Sequence, residues 1–429
     1  MPALPLLKRR YKTPGLKAMG IYTLTNFFGK GLSFLLLPLF TNPKYLTTAD
    51  NGLLSLFGQA AVFVLPFINL GVLQSASVDY FKLGKKDFKD FCTTGVFMSS
   101  VMALVALVAF YFARHFLYSR FSFPAVFIWA IPLTAILNFW YELIILIIRN
   151  RDEATRYMKV NMTKVITEFG LAVLLIVIFA WGWWGRVAGI LIATGSITIY
   201  AIYFLIRNDF LFGKVRKDII YGEIKFSVPV IVMQLSMFCL FSSDSFLLAG
   251  ITRNTSEVGI YGMACVFGSI LITLSAALIQ YMVPRINQSL SAPVIDYENI
   301  GKLFKLYLLI MGFAFAALFF CVPLAYHLFI NSNYWPGIHF YYFLSGGYFF
   351  WTITAFLYSF LLYYKQKRRL LLIALCAIGI SITSNYFFIK NMGATGAAIS
   401  VCCSYFLVML IAFMITGKYW RHFIYPAKS

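Results

Sequence analysis

Residues 48–58 read TADNGLLSLFG, and residues 255–268 read TSEVGIYGMACVFG, 207 positions further on. Laid over one another, Thr48 falls on Thr255, Ala49 on Ser256, Asp50 on Glu257, Gly52 on Gly259 and Leu53 on Ile260. The same offset brings Gly189 onto Gly396. Each of these four segments opens an apolar run. Self-similarity at one fixed offset is the mark of a repeated unit, and a unit this long is half of the chain.

The runs themselves define the class. Of the 429 residues, 61% are hydrophobic and 12% charged, against about 25% charged in a soluble chain. Windows of about 20 residues pick out twelve candidate spans, near 18–40, 51–73, 91–113, 122–148, 160–181, 187–206, 226–250, 259–283, 304–329, 338–362, 370–389 and 394–416. No connection reaches the roughly 50 residues of a small soluble domain. The first run is followed by no small-residue cleavage site, so it is expected to remain as a helix. The repeated segments open spans two, eight, six and twelve. The expected fold is therefore an all-α membrane protein of twelve transmembrane helices in two six-helix lobes, related by a pseudo-two-fold along the membrane normal. The lobes are expected over 1–206 and 226–429, joined by a basic linker at 207–225. Parallel halves of this kind are a transporter plan in which one half rocks against the other.

A net charge of +21 raises the question of nucleic acid. The placement of the charge answers otherwise. With the N-terminus inside, 28 Lys and Arg residues fall in inner segments and six (Lys44, Arg114, Arg120, Arg186, Arg253 and Lys390) in outer loops, the asymmetry that orients membrane proteins. The excess reads as orientation and contact with anionic lipid, with both termini on the inner side. Trp181, Trp183, Trp184 and Trp335 fall at outer span ends and Trp420 at an inner one, where amphipathic rings anchor at the interface.

Charges inside spans are few and therefore informative. Residues 25–40 read TNFFGKGLSFLLLPLF, with Lys30 about 18 Å from the inner end of its span. A charge at that depth costs about 2.5–3.5 kcal/mol on insertion scales, and faces protein or water. Thr23, Asn26, Lys30 and Ser33 recur at spacings of three and four, and so share one helical face. A polar stripe with a cation suggests a wet cleft that accepts an anion; a neutralising acid such as Asp244 is the competing reading. Span seven carries Gln234, Ser242, Asp244 and Ser245 within about half of the helix circumference. Asp244 either couples a proton or Na⁺ or pairs with a cation, and the residues leave both open. Lys164 and Glu168 stand one turn apart on span five, with Glu142 on span four at similar depth, an arrangement expected to be mutually neutralising. Pro38, Pro66, Pro132, Pro229 and Pro323 fall inside spans and are expected to kink them.

Other chemistries lack their residues. The seven cysteines have neither metal-ligand spacing nor a disulfide framework. There is no G-x-x-x-x-G-K-[ST] loop for nucleotide. No nucleophile–base pair stands out, so no enzyme activity, cofactor or metal is expected, apart from H⁺ or Na⁺ as a coupling ion.

The stretch GKGLSFLLLPLFTNPKYLTTADNGLLSLF (residues 29–57), followed by FINLGVLQSA (residues 67–76), resembles the opening two helices of Wzx-type polysaccharide-repeat flippases of the multidrug/oligosaccharidyl-lipid/polysaccharide (MOP) exporter superfamily. LFSSDSFLLAGITRNTSEVGIYGMA (residues 240–264) is similar to the family's seventh helix and the loop into the eighth, and NMGATGAAIS (residues 391–400) to the start of its last helix. The matching layout covers essentially the whole chain. The resemblance implies a flippase that moves undecaprenyl-pyrophosphate-linked oligosaccharide repeat units from the cytoplasmic to the outer leaflet of the inner membrane. It implies a cationic cavity in which Lys30 matches a basic position of the first helix, Asp244 an acidic position of the seventh, and Arg149 a position at the inner end of the fourth. Substrate contacts are expected at Lys30, Asn26, Thr23, Ser33, Arg149, Lys164 and Gln234, and coupling or charge pairing at Asp244, Glu142 and Glu168. The chain departs from a strongly basic lumen, for its only deep cations are Lys30 and Lys164. A drug exporter of the same superfamily and a membrane-embedded glycosyltransferase or polymerase are the alternatives. Expected partners are the lipid-linked oligosaccharide, membrane lipid, and a polysaccharide polymerase with its glycosyltransferases, with no nucleic acid; the chain is expected to be a monomer.

Overall fold

Hydrocarbon supplies no hydrogen-bond partners, so a chain this apolar must satisfy its backbone within each crossing, and the helix does so. The computed structural model describes residues 16–291 and 295–424; the side chains of residues 16–19, Tyr22, Thr23, Asn26 and residues 418–424 lie outside the described set. Among the described residues there is no strand. The helices in order are α1 (Leu16–Leu35), α2 (Leu37–Phe40), α3 (Thr48–Asn69), α4 (Val72–Lys82), α5 (Lys85–Phe112), α6 (Arg114–Phe121), α7 (Phe127–Asn150) and α8 (Ala154–Val173). A π turn at Leu174–Ile178 ends α8. Then follow α9 (Gly182–Arg207), α10 (Lys217–Phe241), α11 (Ser243–Thr252), α12 (Thr255–Leu290), α13 (Tyr297–Phe329), α14 (Gly337–Tyr363) and α15 (Lys367–Ile424).

Ten described helical segments are long and apolar enough to cross a membrane, against the twelve expected spans. One difference lies in α15, which runs through both of the last two expected spans. Its backbone leaves the helix at Gly393, with φ 57° and ψ −134°, a conformation that glycine adopts without the penalty of a Cβ. The other is the first span, which is divided between α1 and α2 where Pro38 lacks an amide hydrogen to continue the ladder. Pro66, Pro132, Pro229 and Pro323 stand inside α3, α7, α10 and α13.

The chain divides into two compact units: residues 1–40 with 57–235, and residues 41–56 with 236–429. In the first unit, residues 208–216 are fastened to α5. The buried Asp90 carboxylate accepts from the Lys214 amide at 2.7 Å, Thr93 Oγ1 accepts from the Gly213 amide at 2.9 Å, and Thr94 Oγ1 from the Arg216 amide at 3.2 Å. Asp90 presses so close that a Cβ at Gly213 would lie 2.5 Å from its Oδ1. The hydrogen bond from Lys89 at 2.6 Å, with Lys85 at 3.5 Å, holds the Asp209 carboxyl below the usual carboxylate range. The first part of the expected linker is thus a fitted strap, and from Lys217 its remainder is helix α10.

In the second unit the repeated segments meet each other. A Cβ on Gly52 would lie 1.8 Å from the Thr255 carbonyl oxygen, and one on Gly259 would lie 2.0 Å from that of Thr48. Thr48 and Thr255 are repeat equivalents, as are Gly52 and Gly259, so residue i meets j and j meets i about a local two-fold. Thr48 and Ser256 share a hydrogen bond of 2.5 Å beside the crossing, and Asn51 donates to Tyr334 Oη at 2.7 Å. Small residues admit backbones this closely, and close packing is the main source of helix association in lipid. Gly52→Ala should therefore destabilise the protein by about 1–3 kcal/mol through overpacking, read by thermal unfolding in detergent. Gly58→Ala, further along the same helix and facing open space, should leave the melting point unchanged or raise it. Equal behaviour of the two variants would contradict the crossing.

Candidate functional site

The first unit gathers most of the charge that the chain carries inside its helices. Helix α1 rests on α8 at Gly29, where an added Cβ would sit in contact with Val165 Cγ2 at 3.4 Å. Lys30 and Lys164 are the sequence neighbours of these two residues, so both deep cations lie at the level where α1 touches α8. Lys30 is exposed on α1. Ser33 spends its hydroxyl proton on the Gly29 carbonyl at 3.0 Å, leaving acceptor lone pairs only. The side chains of Thr23 and Asn26, the rest of the expected polar stripe, lie outside the described residues.

Lys164 is half-buried. Its ammonium lies 3.7 Å from Glu168 Oε2 and 4.6 Å from the centre of the Tyr141 ring. Tyr141 in turn donates to Asn161 Oδ1 at 2.5 Å, and Asn161 donates to the Tyr157 carbonyl at 2.9 Å. Glu142 and Arg149, seven residues apart on α7, are exposed, and Glu142 lies within electrostatic reach of both Lys164 and Arg149. The structure therefore brings together Lys164, Glu168, Glu142 and Arg149, drawn from two adjacent helices.

A fifth residue joins this cluster from a third helix, and its placement is a correction. The charge count assigns Arg186 to an outer loop, whereas it belongs to α9, with a side chain 17% exposed. Arg186 Nη2 is 3.0 Å from Glu168 Oε1, and its guanidinium lies over the rings of Phe169 at 4.4 Å and Phe40 at 5.2 Å. The cause is geometric: α9 begins at Gly182, so Arg186 is already past one helical turn and its stem reaches back onto α8. Glu168 thus stands between two cations, and the Lys164–Glu168 pair is one edge of a triad. Nη1 of Arg186 is buried without a hydrogen-bond partner among the described residues. Another residue that sequence reasoning missed is Glu223. It lies in the stretch read as linker but is helical and buried, accepting from Ser75 Oγ at 2.9 Å. Gln234, further along α10, has its Nε2 buried without a partner among the described residues.

In the second unit Asp244 begins α11 just after the helix breaks at Ser242, where φ is −144°. Asp244 is 3% exposed and its carboxylate's partners are neutral: Oδ1 accepts from the Ser245 amide at 2.8 Å, and Oδ2 accepts from the Tyr261 hydroxyl. The carbonyls that the break releases are captured from α15. Ser381 donates to Cys239 O at 2.7 Å and Tyr405 to Leu240 O at 2.7 Å. Asn385 donates weakly to Ser243 and Ser381 at 3.3 and 3.4 Å, while its Oδ1 is buried without a partner among the described residues. Asp244 therefore sits in a buried pocket of hydroxyls and amides, a setting in which a proton or a small cation can be held by oxygen atoms.

Neutralising Glu168 should expose two cations to each other. Glu168→Gln is expected to destabilise the protein by about 3 kcal/mol, as breaking a buried pair does, and Arg186→Gln in the same chain should restore part of it. Chemical denaturation of both variants in detergent measures this, and additive losses in the double variant would rule out the coupling.

A family model described as "Polysaccharide biosynthesis protein" matches residues 16–290. No curated protein matches the chain. Among solved structures, the chain is similar to the lipid II flippase MurJ in an inward closed conformation, with a TM-score of 0.73 at 12% identity over 92% of this chain and 87% of that one. It is similar to an inward-facing multidrug-resistance MATE transporter of the MOP superfamily, with a TM-score of 0.70 at 12% identity over 91% and 96%. It is also similar to the MATE multidrug transporter DinF-BH, with a TM-score of 0.68 at 15% identity over 97% and 98%. At these identities the likeness is one of fold.

Proposed function

Because the chain belongs to the polysaccharide biosynthesis protein family, we propose that it is a secondary-transport flippase for undecaprenyl-pyrophosphate-linked oligosaccharide repeat units. It moves them from the cytoplasmic to the outer leaflet of the inner membrane by alternating access, with both termini cytoplasmic. The structural likeness to a lipid II flippase supports a lipid-borne cargo. No cofactor enters the mechanism, and no covalent step is made.

The observation that carries this reading is Lys30, an exposed ammonium inside an apolar helix. It stands about 21 Å along α1 from Leu16, at a rise of 1.5 Å per residue. A charge at that depth is unfavourable, and an anionic headgroup passing at about 4 Å relieves it by about 4 kcal/mol at intermediate dielectric. Lys164, Arg149 and Gln234 extend the polar path on the same unit, while hydroxyl and amide groups such as those of Thr23, Asn26 and Ser33 bond the sugars. Glu142 and Glu168 keep the neighbouring cations from binding the cargo irreversibly. Asp244 binds the coupling ion, H⁺ or Na⁺, because its carboxylate has neutral partners and no guanidinium or ammonium among the described residues to satisfy it. Glycosyltransferases act before the flippase and the polymerase after it, and the flippase works as a monomer. A drug exporter draws support from the MATE-like fold and the buried Asp244, but a cationic drug is repelled by Lys30.

Lys30→Ala should abolish surface polysaccharide in a complementation assay at unchanged protein level, and Lys30→Arg should retain part of it. Normal export by Lys30→Ala would remove the residue from the site. Asp244→Asn should lose the dependence of flipping on an ion gradient in proteoliposomes; a variant that responds to the gradient as the parent does would separate Asp244 from coupling.

A further inference from the structure

A second basic site lies on the first unit between α8 and α9, and its upper lining residue Thr163 is the sequence neighbour of Lys164. Helices α8 and α9 form an open groove of about 450 Å³ lined by Thr155, Arg156, Lys159, Val160, Thr163, Ile197 and Tyr200. Its lining contains two cations and no carboxylate. Thr155, Lys159 and Thr163 recur every four residues, so they form one stripe along α8, and with Arg156 they line the mouth. Val160 and Ile197 are buried at its back.

The two cations are prepared differently. Arg156 is oriented: it pairs with Glu153, which also holds Arg151 at 2.8 Å, and its guanidinium lies 5.3 Å from the centre of the Phe204 ring. One acid shared by two arginines leaves the trio with a net positive charge. Lys159 forms no ion pair with any described residue, so its charge is available to a ligand. Depth also selects the ligand. Thr155 is in the first turn of α8, and Thr163 is about 12 Å above it; on α9, Tyr200 and Ile197 lie about 10 and 15 Å from the Arg207 end. The groove thus runs from a helix terminus into the span, with Thr155 and both cations low, Val160 and Tyr200 midway, and Ile197 and Thr163 high. A soluble anion would use only the lower part.

We infer that this groove binds the phosphodiester headgroup of an anionic phospholipid of the inner leaflet, with Thr155, Arg156 and Lys159 on the phosphate, Thr163 on a glycerol ester oxygen, and Val160, Ile197 and Tyr200 against the start of the acyl chains. Basic pockets between transmembrane helices bind anionic headgroups on the side where such lipids reside. The inference rests on the proposed orientation, which puts the Thr155 end of α8 inside, and is independent of what the protein transports.

The test uses the full-length protein in neutral detergent, titrated with phosphatidylglycerol, phosphatidylcholine or inorganic phosphate. Retained lipid is counted by native mass spectrometry, and the melting temperature is followed in parallel. Phosphatidylglycerol should be retained in preference to phosphatidylcholine and should raise the melting temperature. Arg156→Gln and Lys159→Gln should each weaken that retention by about fivefold, and Lys159→Arg should keep it. The lipid-free melting temperature of each variant reports whether it folds. Undiminished retention in a folded double variant would overturn the site. Equal stabilisation by inorganic phosphate would make it a soluble-anion site, and displacement of the phospholipid by a polyprenyl pyrophosphate would make it part of the transport path; either result overturns the assignment.

Discussion

Hydrocarbon has no hydrogen bonds to offer and little tolerance for charge, and the structure is organised by that constraint. Where the helical ladder is interrupted inside a crossing, side chains from a neighbouring helix can take over the freed groups. The break at Ser242 shows this directly: the carbonyls of Cys239 and Leu240 are taken by Ser381 and Tyr405 of α15. The interruption is thereby stable, and it places a carboxylate, Asp244, at the start of a new helix where a continuous helix would place a side chain of no special environment.

The same solvent removes the hydrophobic effect as a force between helices, so contact has to come from close packing. Glycine supplies it repeatedly. Gly52 and Gly259 cross with backbone on backbone, Gly189 lies against the Glu168 and Ala172 backbone, and Gly347 against that of Cys402. Three of these four glycines belong to offset pairs visible in the sequence, so the duplicated residues are the ones that set helix separation. A duplicated scaffold then carries unlike contents. The first unit holds a network of Lys164, Glu168, Arg186, Glu142 and Arg149; the second holds one carboxylate among hydroxyls and amides. The proposed binding of an anionic cargo and of a small coupling cation are chemically opposed tasks, and the residues proposed for them lie in different units.

Much of the architecture was legible because its causes are local. Apolar runs of about 20 residues, the loop charge asymmetry and the repeat at 48 and 255 each follow from what one segment must do in lipid, and the family match over residues 16–290 and the fold likeness agree with the membrane fold they imply. The Lys164–Glu168 pair was legible too, since one helical turn separates them. Arg186 was not. Its assignment turned on a helix beginning at Gly182 and on the reach of a long side chain back to α8, neither of which residue type reveals. The strap of residues 208–216 was hidden for a similar reason: Asp90 and Gly213 are 123 positions apart, and their fit is a matter of shape.

Sequence alone determined the solvent, where the apolar runs fall, and which residue types lie too deep to be accidental, because hydropathy and charge act on each segment separately. Tertiary structure alone decided what those residues touch. Glu168 between two cations, Asp244 among neutral donors, and Gly52 against Gly259 all depend on contacts between separate helices, where side-chain reach and backbone separation, rather than composition, set the energy.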